Sequence, residues 1–375
     1  MLLTHRLTRH LHSVRRLYSK SVLRVPAIGM DIDGVFRRGN LPIANSLQAL
    51  QLVQTPLSQL SPKFKGIERG LPFVFITNGG GHLESYKANE LNRILGITDP
   101  NKGVKAEDMI LCHTPLREIV SHYINDYVII TGLGNILSIA LDYGFKKAIT
   151  LDEYSAMYPY LSRLSLLGKP EEKVRMLAER GRQRLNFTKD TPLPQVKAVF
   201  YISDPTMWEE NLQITCDLLI SKDGIPGSVR SKDEPQFVKL YLTNPDIVFA
   251  DAFSLPRIAQ GSYLLCLDAL FRRQYGMPIE FTYYGKPTAN TFKFAERYLR
   301  KRYMNEFDIS HFYMIGDNPE GDIRGANMNG WQSILVKTGL FKGPNNDPHD
   351  PATFVKEDIL ESIKFILERE GVVSY

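Results

Sequence analysis

The chain has 375 residues, more than one compact core usually holds, so its length argues for two folded units. At 43% hydrophobic and 23% charged it has an ordinary globular composition, and no stretch approaches the roughly 18 consecutive apolar residues of a membrane span. Its +5 charge, 46 basic against 41 acidic residues, is too slight and too unevenly placed to mark a nucleic-acid partner.

The imbalance sits at the start. Residues 1–30 carry Arg6, Arg9, Arg15, Arg16, Lys20 and Arg24 and no Asp or Glu, in an amphipathic arrangement with Leu, Ser, Thr and His. Such a segment reads as a mitochondrial presequence over residues 1–24, and Arg16-Leu17-Tyr18-Ser19 resembles a matrix-protease site. A basic tail with no targeting role is the plainer alternative. Without the four Arg of residues 1–18 the charge falls to +1. Cys112, Cys216 and Cys266 form no CxxC or Cys/His pattern, so neither a zinc site nor a disulfide framework is indicated. Three scattered, buried thiols suit a reducing compartment such as the matrix.

After the presequence, VPAIGM (25–30) predicts a buried strand ending at Asp31, Asp33 and Gly34. IANSLQALQLV (43–53) has helical spacing, LPFVFITNGGG (71–81) reads as a strand with a glycine turn, and HLESYKANELNRILG as a helix. Strand, turn and helix in repetition predict a parallel sheet with helices on its faces. A middle region holds its own βα unit at 126–154, an irregular stretch rich in Lys, Arg, Gln and Pro at 167–194, a strand at 197–205 and a helix in MWEENLQITCDLLI. LYLTNPDIVFAD (240–251) is a further strand and turn. The first pattern resumes with EFTYYGKP (280–287), a helix in NTFKFAERYLRKRY, strands HFYMIGDN (311–318) and QSILVKTG (332–339), and a closing helix around 356–370. The expected architecture is a doubly wound, Rossmann-like α/β core at 25–105 and 268–375, interrupted by a large α/β cap at 106–267.

Functional groups gather at the carboxyl ends of parallel strands. Here the apolar runs stop at Asp31 and Asp33, at Thr77 and Asn78, at Lys286, and at Asp317 with Asp322. Two close carboxylates stay ionised beside a divalent cation, and hard oxygen ligands suit Mg²⁺. One carboxylate oxygen can attack phosphorus while its neighbour two residues on, pointing to the same side of an extended chain, handles the proton. Gly34 permits a close backbone turn whose amides bind phosphoryl oxygens.

DIDGV, ITNGG, YGKP and IGDNPEGDI, in that order, resemble the four motifs of the haloacid dehalogenase superfamily. The resemblance implies Asp31 as nucleophile and Asp33 as acid/base. It implies Thr77, Asn78, Gly34 and Lys286 as phosphoryl binders, Lys286 also serving catalysis. Asp31, Asp33 and Asp317 would be the Mg²⁺ ligands, with Asp322 and Asn318 in support. Within the superfamily an Asp at position 33 accompanies phosphatases and phosphomutases, whereas dehalogenases and P-type ATPases place another residue there. Only 46 positions separate Asp31 from Thr77, but 209 separate Thr77 from Lys286, which is similar to the class IIA, NagD-like branch with its cap between the second and third motifs. Arg38-Gly39, LTNPD (242–246) and VKTGLFKG (336–343) resemble the cat eye syndrome critical region protein 5 family of mitochondrial hydrolase-like proteins.

The expectation is a Mg²⁺-dependent phosphatase of a small phosphorylated metabolite in the mitochondrial matrix, with a thin link to glycerophospholipid metabolism. A phosphomutase uses the same residues, and a binding or assembly protein could keep the fold without turnover. No nucleic acid and no membrane span are expected, and caps of the neighbouring branch often form homodimers. GLGNIL (132–137) lacks the third glycine of a dinucleotide loop and reads as a cap turn. His82 reads as a surface or helix-capping residue and Trp208 as a cap-core aromatic. Asn244 and Asp246 read either as an Asx-Pro turn or as a cap contribution to the site.

Overall fold

The computed structural model describes residues 23–99, 101–249 and 255–373. The expected presequence lies outside the described residues, except that the first strand already opens at Leu23.

Two parallel sheets organise the molecule. The first has six strands in the spatial order Phe354–Lys356, Gln332–Val336, Phe307–Gly316, Leu23–Met30, Phe73–Thr77 and Met109–Leu111. Every neighbouring pair is parallel. The first strand in sequence is central, and the order runs outward from it in both directions, as in a doubly wound fold. Val25 to Met30 and Phe73 to Thr77 are buried at every position, because the faces of such a sheet are both covered. That explains runs such as FVFIT, apolar without alternation. Helices Ser46–Gln54 and Ile359–Arg369 pack on each other, and Ala289–Tyr303 packs against the Phe307–Gly316 and Phe73–Thr77 strands.

The second sheet has five strands, in the order Thr282–Tyr283, Lys239–Leu242, Val196–Tyr201, Tyr127–Thr131 and Lys147–Thr150. Its two faces carry separate apolar clusters. Ile129, Ile149, Val199 and Leu240 join Tyr154, Leu219 and Phe271 on one side, while Val128, Ile130, Ala148 and Phe200 join Ile139 and Phe145 on the other. The split follows the two-residue period of a strand.

Sheet membership moves the domain limits. Met109–Leu111, placed in the cap by the sequence reading, pairs with Phe75–Thr77 in the first sheet. Helix Gln260–Tyr275 packs through Tyr263, Leu267 and Phe271 into the cap, and Thr282–Tyr283 pairs with Tyr241–Leu242 there. The chain therefore crosses into the cap at Cys112–Thr114 and returns at Tyr284–Lys286, rather than at 105/106 and 267/268. Strands of two and three residues carry too little pattern to be assigned to a sheet from sequence.

The stretch 167–194, expected to be irregular, contains the 15-residue helix Glu171–Leu185. Only Ala178 and Gly181 are buried on it, so its apolar stripe is faint. Strong helix formers, with Glu171 and Glu172 in the first turn and Arg182 and Arg184 in the last, support it. Half-buried Val174, Leu177 and Leu185 pack on the cap core, while Arg180 and Arg184 pair with buried Glu153. Cys112 and Cys216 are buried as expected; Cys266 is exposed.

Candidate active site

The three central strands of the first sheet end side by side, and their ends carry the chemistry. Asp31 follows Met30 directly, and its N–H donates to the Ile315 carbonyl at 2.9 Å. Thr77 ends one flanking strand, and Asp317 follows Gly316 at the end of the other. All three are buried.

Lys286 enters from elsewhere. The short strand before it belongs to the cap sheet, not to the core sheet end predicted for it. From the turn leaving the cap, its Nζ lies 2.6 Å from Asp31 Oδ1 and 2.6 Å from Asp322 Oδ1. Burial pulls the ammonium's pKa down, but the two carboxylates outweigh it and hold the lysine above its ordinary value. Burial pushes the Asp31 carboxyl well up against the pull of Lys286, with Asp322, Asp317 and Asp33 adding repulsion. Asp317 rises to about 7, chiefly through burial and then through Asp322.

Oxygens of Asp31, Asp317 and Asp322 lie within 4.8 Å of one another, a spacing that fits one hard cation. Three buried carboxylates face a single ammonium, so the cluster carries excess negative charge that a divalent ion would neutralise. Glycines make room for it. A Cβ on Gly34 would fall 2.2 Å from Asp317 Oδ2, one on Gly339 1.8 Å from the same atom, and one on Gly316 2.1 Å from Asp322 Oδ2. Gly34 also has φ +82°, in the left-handed region. Gly339→Ala should therefore displace Asp317 and raise the Mg²⁺ concentration for half-maximal turnover about tenfold or more, while the thermal transition persists. A Mg²⁺ titration reads this directly, and an unshifted midpoint would remove the cradle from the account.

The Asp33 carboxylate stands apart from the three side-chain oxygens of the cluster, which Asp322 completes. The Asp33 side chain is 54% exposed and accepts Arg37 Nε at 2.7 Å. Arg37 is shared with Glu90 at 2.9 Å, and Lys87 reaches Glu90 at 2.8 Å. Asn318 acts through the backbone: its side chain accepts the N–H groups of Glu320 and Gly321, and its own N–H donates to Asp322 Oδ2 at 3.1 Å. Thr77 Oγ1 accepts the Gly79 N–H at 3.1 Å. The Asn78 carboxamide is committed to protein partners. Oδ1 accepts the Lys286 N–H at 2.7 Å, and Nδ2 donates to the Lys286 carbonyl at 2.9 Å and to Asp246 Oδ2 at 3.1 Å.

A buried polar network marks the first crossing between core and cap. His113, fully buried, contacts Tyr143 Oη through Nδ1 at 2.7 Å and the His82 carbonyl through Nε2 at 3.1 Å. Tyr143 Oη also lies 2.7 Å from Glu84, which takes Thr114 Oγ1 and Arg117 as well. Burial drops the His113 pKa to about 4. The GLGNIL glycines form a cap turn that docks on the core, with the Asn135 N–H on the Gly81 carbonyl at 2.9 Å. His82 stacks on Tyr86, and Trp208 packs edge-on against Tyr263 in the cap. Sequence reasoning missed Arg37, Gly316, Gly339, Glu84 and His113. The glycine of VKTG was the one visible signal, and its partner lies 22 residues away.

Comparison with known proteins agrees with this geometry. A haloacid dehalogenase-like hydrolase model matches residues 28–146, and a HAD-hydrolase-like model matches residues 283–362. A cardiolipin synthase/mitochondrial hydrolase fusion protein of Schizosaccharomyces pombe is 30% identical over 343 residues, covering 90% of this chain and 52% of the fusion. This chain thus spans about half the length of that relative. A mitochondrial hydrolase of Saccharomyces cerevisiae is 26% identical over 368 residues, covering 92% of this chain and 96% of its own. Among solved structures, a glycerol phosphate phosphatase of Mycobacterium tuberculosis in complex with magnesium has a TM-score of 0.53 at 16% identity, covering 90% of this chain and 75% of that one. The chain belongs to the haloacid dehalogenase-like hydrolases, in the class IIA arrangement with an α/β cap between the second and third motifs.

Proposed function

We propose that this protein is a Mg²⁺-dependent phosphatase of a small phosphorylated metabolite that works through an aspartyl-phosphate in mitochondria, within the matrix. The observation that carries the reading is Lys286 Nζ, 2.6 Å from both Asp31 and Asp322, beside Asp317 at the carboxyl edge of the sheet. A Mg²⁺ held by Asp31 and Asp317, with Asp322 behind them, would offset the charge of the phosphoryl group and of the carboxylates. An Asp31 oxygen attacks phosphorus, and the P–O bond to the leaving group breaks. Asp33, turning from Arg37, gives that oxygen a proton and then takes one from the water that cleaves the aspartyl-phosphate. Lys286 neutralises phosphoryl charge, and the Thr77 hydroxyl donates to a phosphoryl oxygen. Asn78 contributes a main-chain N–H group, whereas that of Gly34 donates to the Arg37 carbonyl at 2.8 Å, so Gly34 serves by letting the chain pass close to Asp317. The cap covers the site, which favours small soluble esters.

The cardiolipin synthase fused to the S. pombe relative and the glycerol phosphate phosphatase neighbour both support a substrate from glycerophospholipid metabolism. The mitochondrial names of the two relatives support the location. Phosphate release should be measured against a panel of glycerol, sugar and nucleotide phosphates, with Mg²⁺ and with EDTA. Release that EDTA stops, strongest on a glycerol phosphate, is the expected result. Release indifferent to EDTA would overturn the reading.

A further inference from the structure

LTNPD, left between a turn and a site role by its sequence, does both. Asn244 Oδ1 accepts the Asp246 N–H at 3.0 Å, an Asx turn. Gln260 Oε1 accepts the N–H groups of Thr243 and Asn244 at 2.8 and 2.9 Å, and the Gly261 N–H donates to the Asp246 carbonyl at 2.9 Å. The cap therefore fixes the main chain of this turn from two sides. The Asp246 carboxylate then leaves the cap and meets Asn78 of the core.

Asn78 has two N–H donors and one carbonyl. Both donors and the carbonyl are used, and the pattern admits one orientation, because the Lys286 N–H needs an acceptor and two oxygens need donors. Both main-chain polar groups of Lys286 thus rest on this carboxamide. Of the flanking residues, Gly285 is tied to the next helix, its N–H donating to Thr291 Oγ1 at 2.8 Å and its carbonyl accepting from Thr288, so Asn78 is what holds the lysine's own N–H and carbonyl. Gly285 sits at φ +85° and Pro287 has no N–H.

We propose that Asp246 is a positioning residue: it anchors the Asn78 carboxamide, which fixes the Lys286 backbone and so the reach of Nζ between Asp31 and Asp322. The inference rests on the phosphatase reading of that lysine. Contacts of 2.6 Å leave little slack, and small misplacement of a catalytic group is costly.

The test uses the full chain, p-nitrophenyl phosphate and Mg²⁺, with Asp246→Ala, Asp246→Asn, Asn78→Ala and the double Ala variant. Asp246→Ala should lower kcat about 10- to 100-fold and leave KM within about 2-fold. Asp246→Asn keeps an oxygen for Asn78 and should restore most of the rate. The double variant should be no slower than Asn78→Ala alone, since both cut one chain of contacts. Amide exchange at Lys286, followed by mass spectrometry, should quicken in Asp246→Ala and not in Asp246→Asn. If the alanine variant loses its thermal transition, Asp246→Ser replaces it. Additive rate losses, or unchanged Lys286 exchange in the truncated variant, would overturn the proposal. If the wild-type chain releases no phosphate from any panel ester, the phosphatase reading fails, and the exchange result alone decides the positioning role.

Discussion

Asp31→Asn should lose Mg²⁺-dependent phosphate release by at least about 10³-fold, the scale seen when a covalent nucleophile is removed. The loss should not come from unfolding. Asn has nearly the same shape, and its carbonyl oxygen can still accept Lys286 Nζ, which keeps Asp322 as its ionic partner. The substitution also takes one negative charge out of a buried group of three carboxylates, whose repulsion and burial already push the Asp31 carboxyl up. Without Mg²⁺ the variant should therefore melt no lower than the parent, and the rise in melting temperature on adding Mg²⁺ should shrink. Phosphate release and thermal melts with and without the ion check both halves. Full turnover in the variant would remove Asp31 as the nucleophile.

Acid should weaken the fold through His113 by up to about 3 kcal/mol. Burial holds this imidazole at about 4, against an unfolded value of 6.5, so between those values the unfolded chain binds a proton that the folded chain refuses. Stability is then fully present above pH 6.5 and is lost as pH falls towards 4. Asp317, raised to about 7, acts with the opposite sign, because in the same range its folded form holds a proton that an unfolded carboxylate has released. The two are separated by comparing wild type with His113→Gln in saturating Mg²⁺, which keeps the carboxylates ionised. Denaturant melts from pH 7 to 4 should give a shallower loss in the variant; equal slopes would show that His113 is not the titrating group.

Much of this was legible in the sequence because the core repeats one local rule. An apolar run stops, and the residue at the stop is polar; Asp31, Thr77 and Asp317 obey it and meet at one sheet edge. Lys286 obeyed it by accident, since its strand belongs to the other sheet. The limits of the cap were illegible for the same reason, as Met109–Leu111 and Thr282–Tyr283 declare their sheet only through pairing partners far along the chain. Asp33 was read by its spacing from Asp31, but spacing is silent about Arg37, which draws its side chain outward. The His113 network and the close approach of Gly339 to Asp317 are contacts across long separations, and no periodicity encodes them.

The place of the Leu23–Met30 strand has a consequence for how the protein is made. It pairs with Phe73–Thr77 through three residues but with Phe307–Gly316 through seven, and the second partner emerges some 280 residues later. During synthesis from the amino end, one edge of the strand that will become the centre of the sheet stays open until Phe307–Gly316 has been made. The cap has all its strands by Tyr283 and can close first. The core, with Asp317 and Asp322 still to come, must finish last. Chains released short of Gly316 would present that open apolar edge to one another, so this enzyme's vulnerable period lasts until that residue has been added.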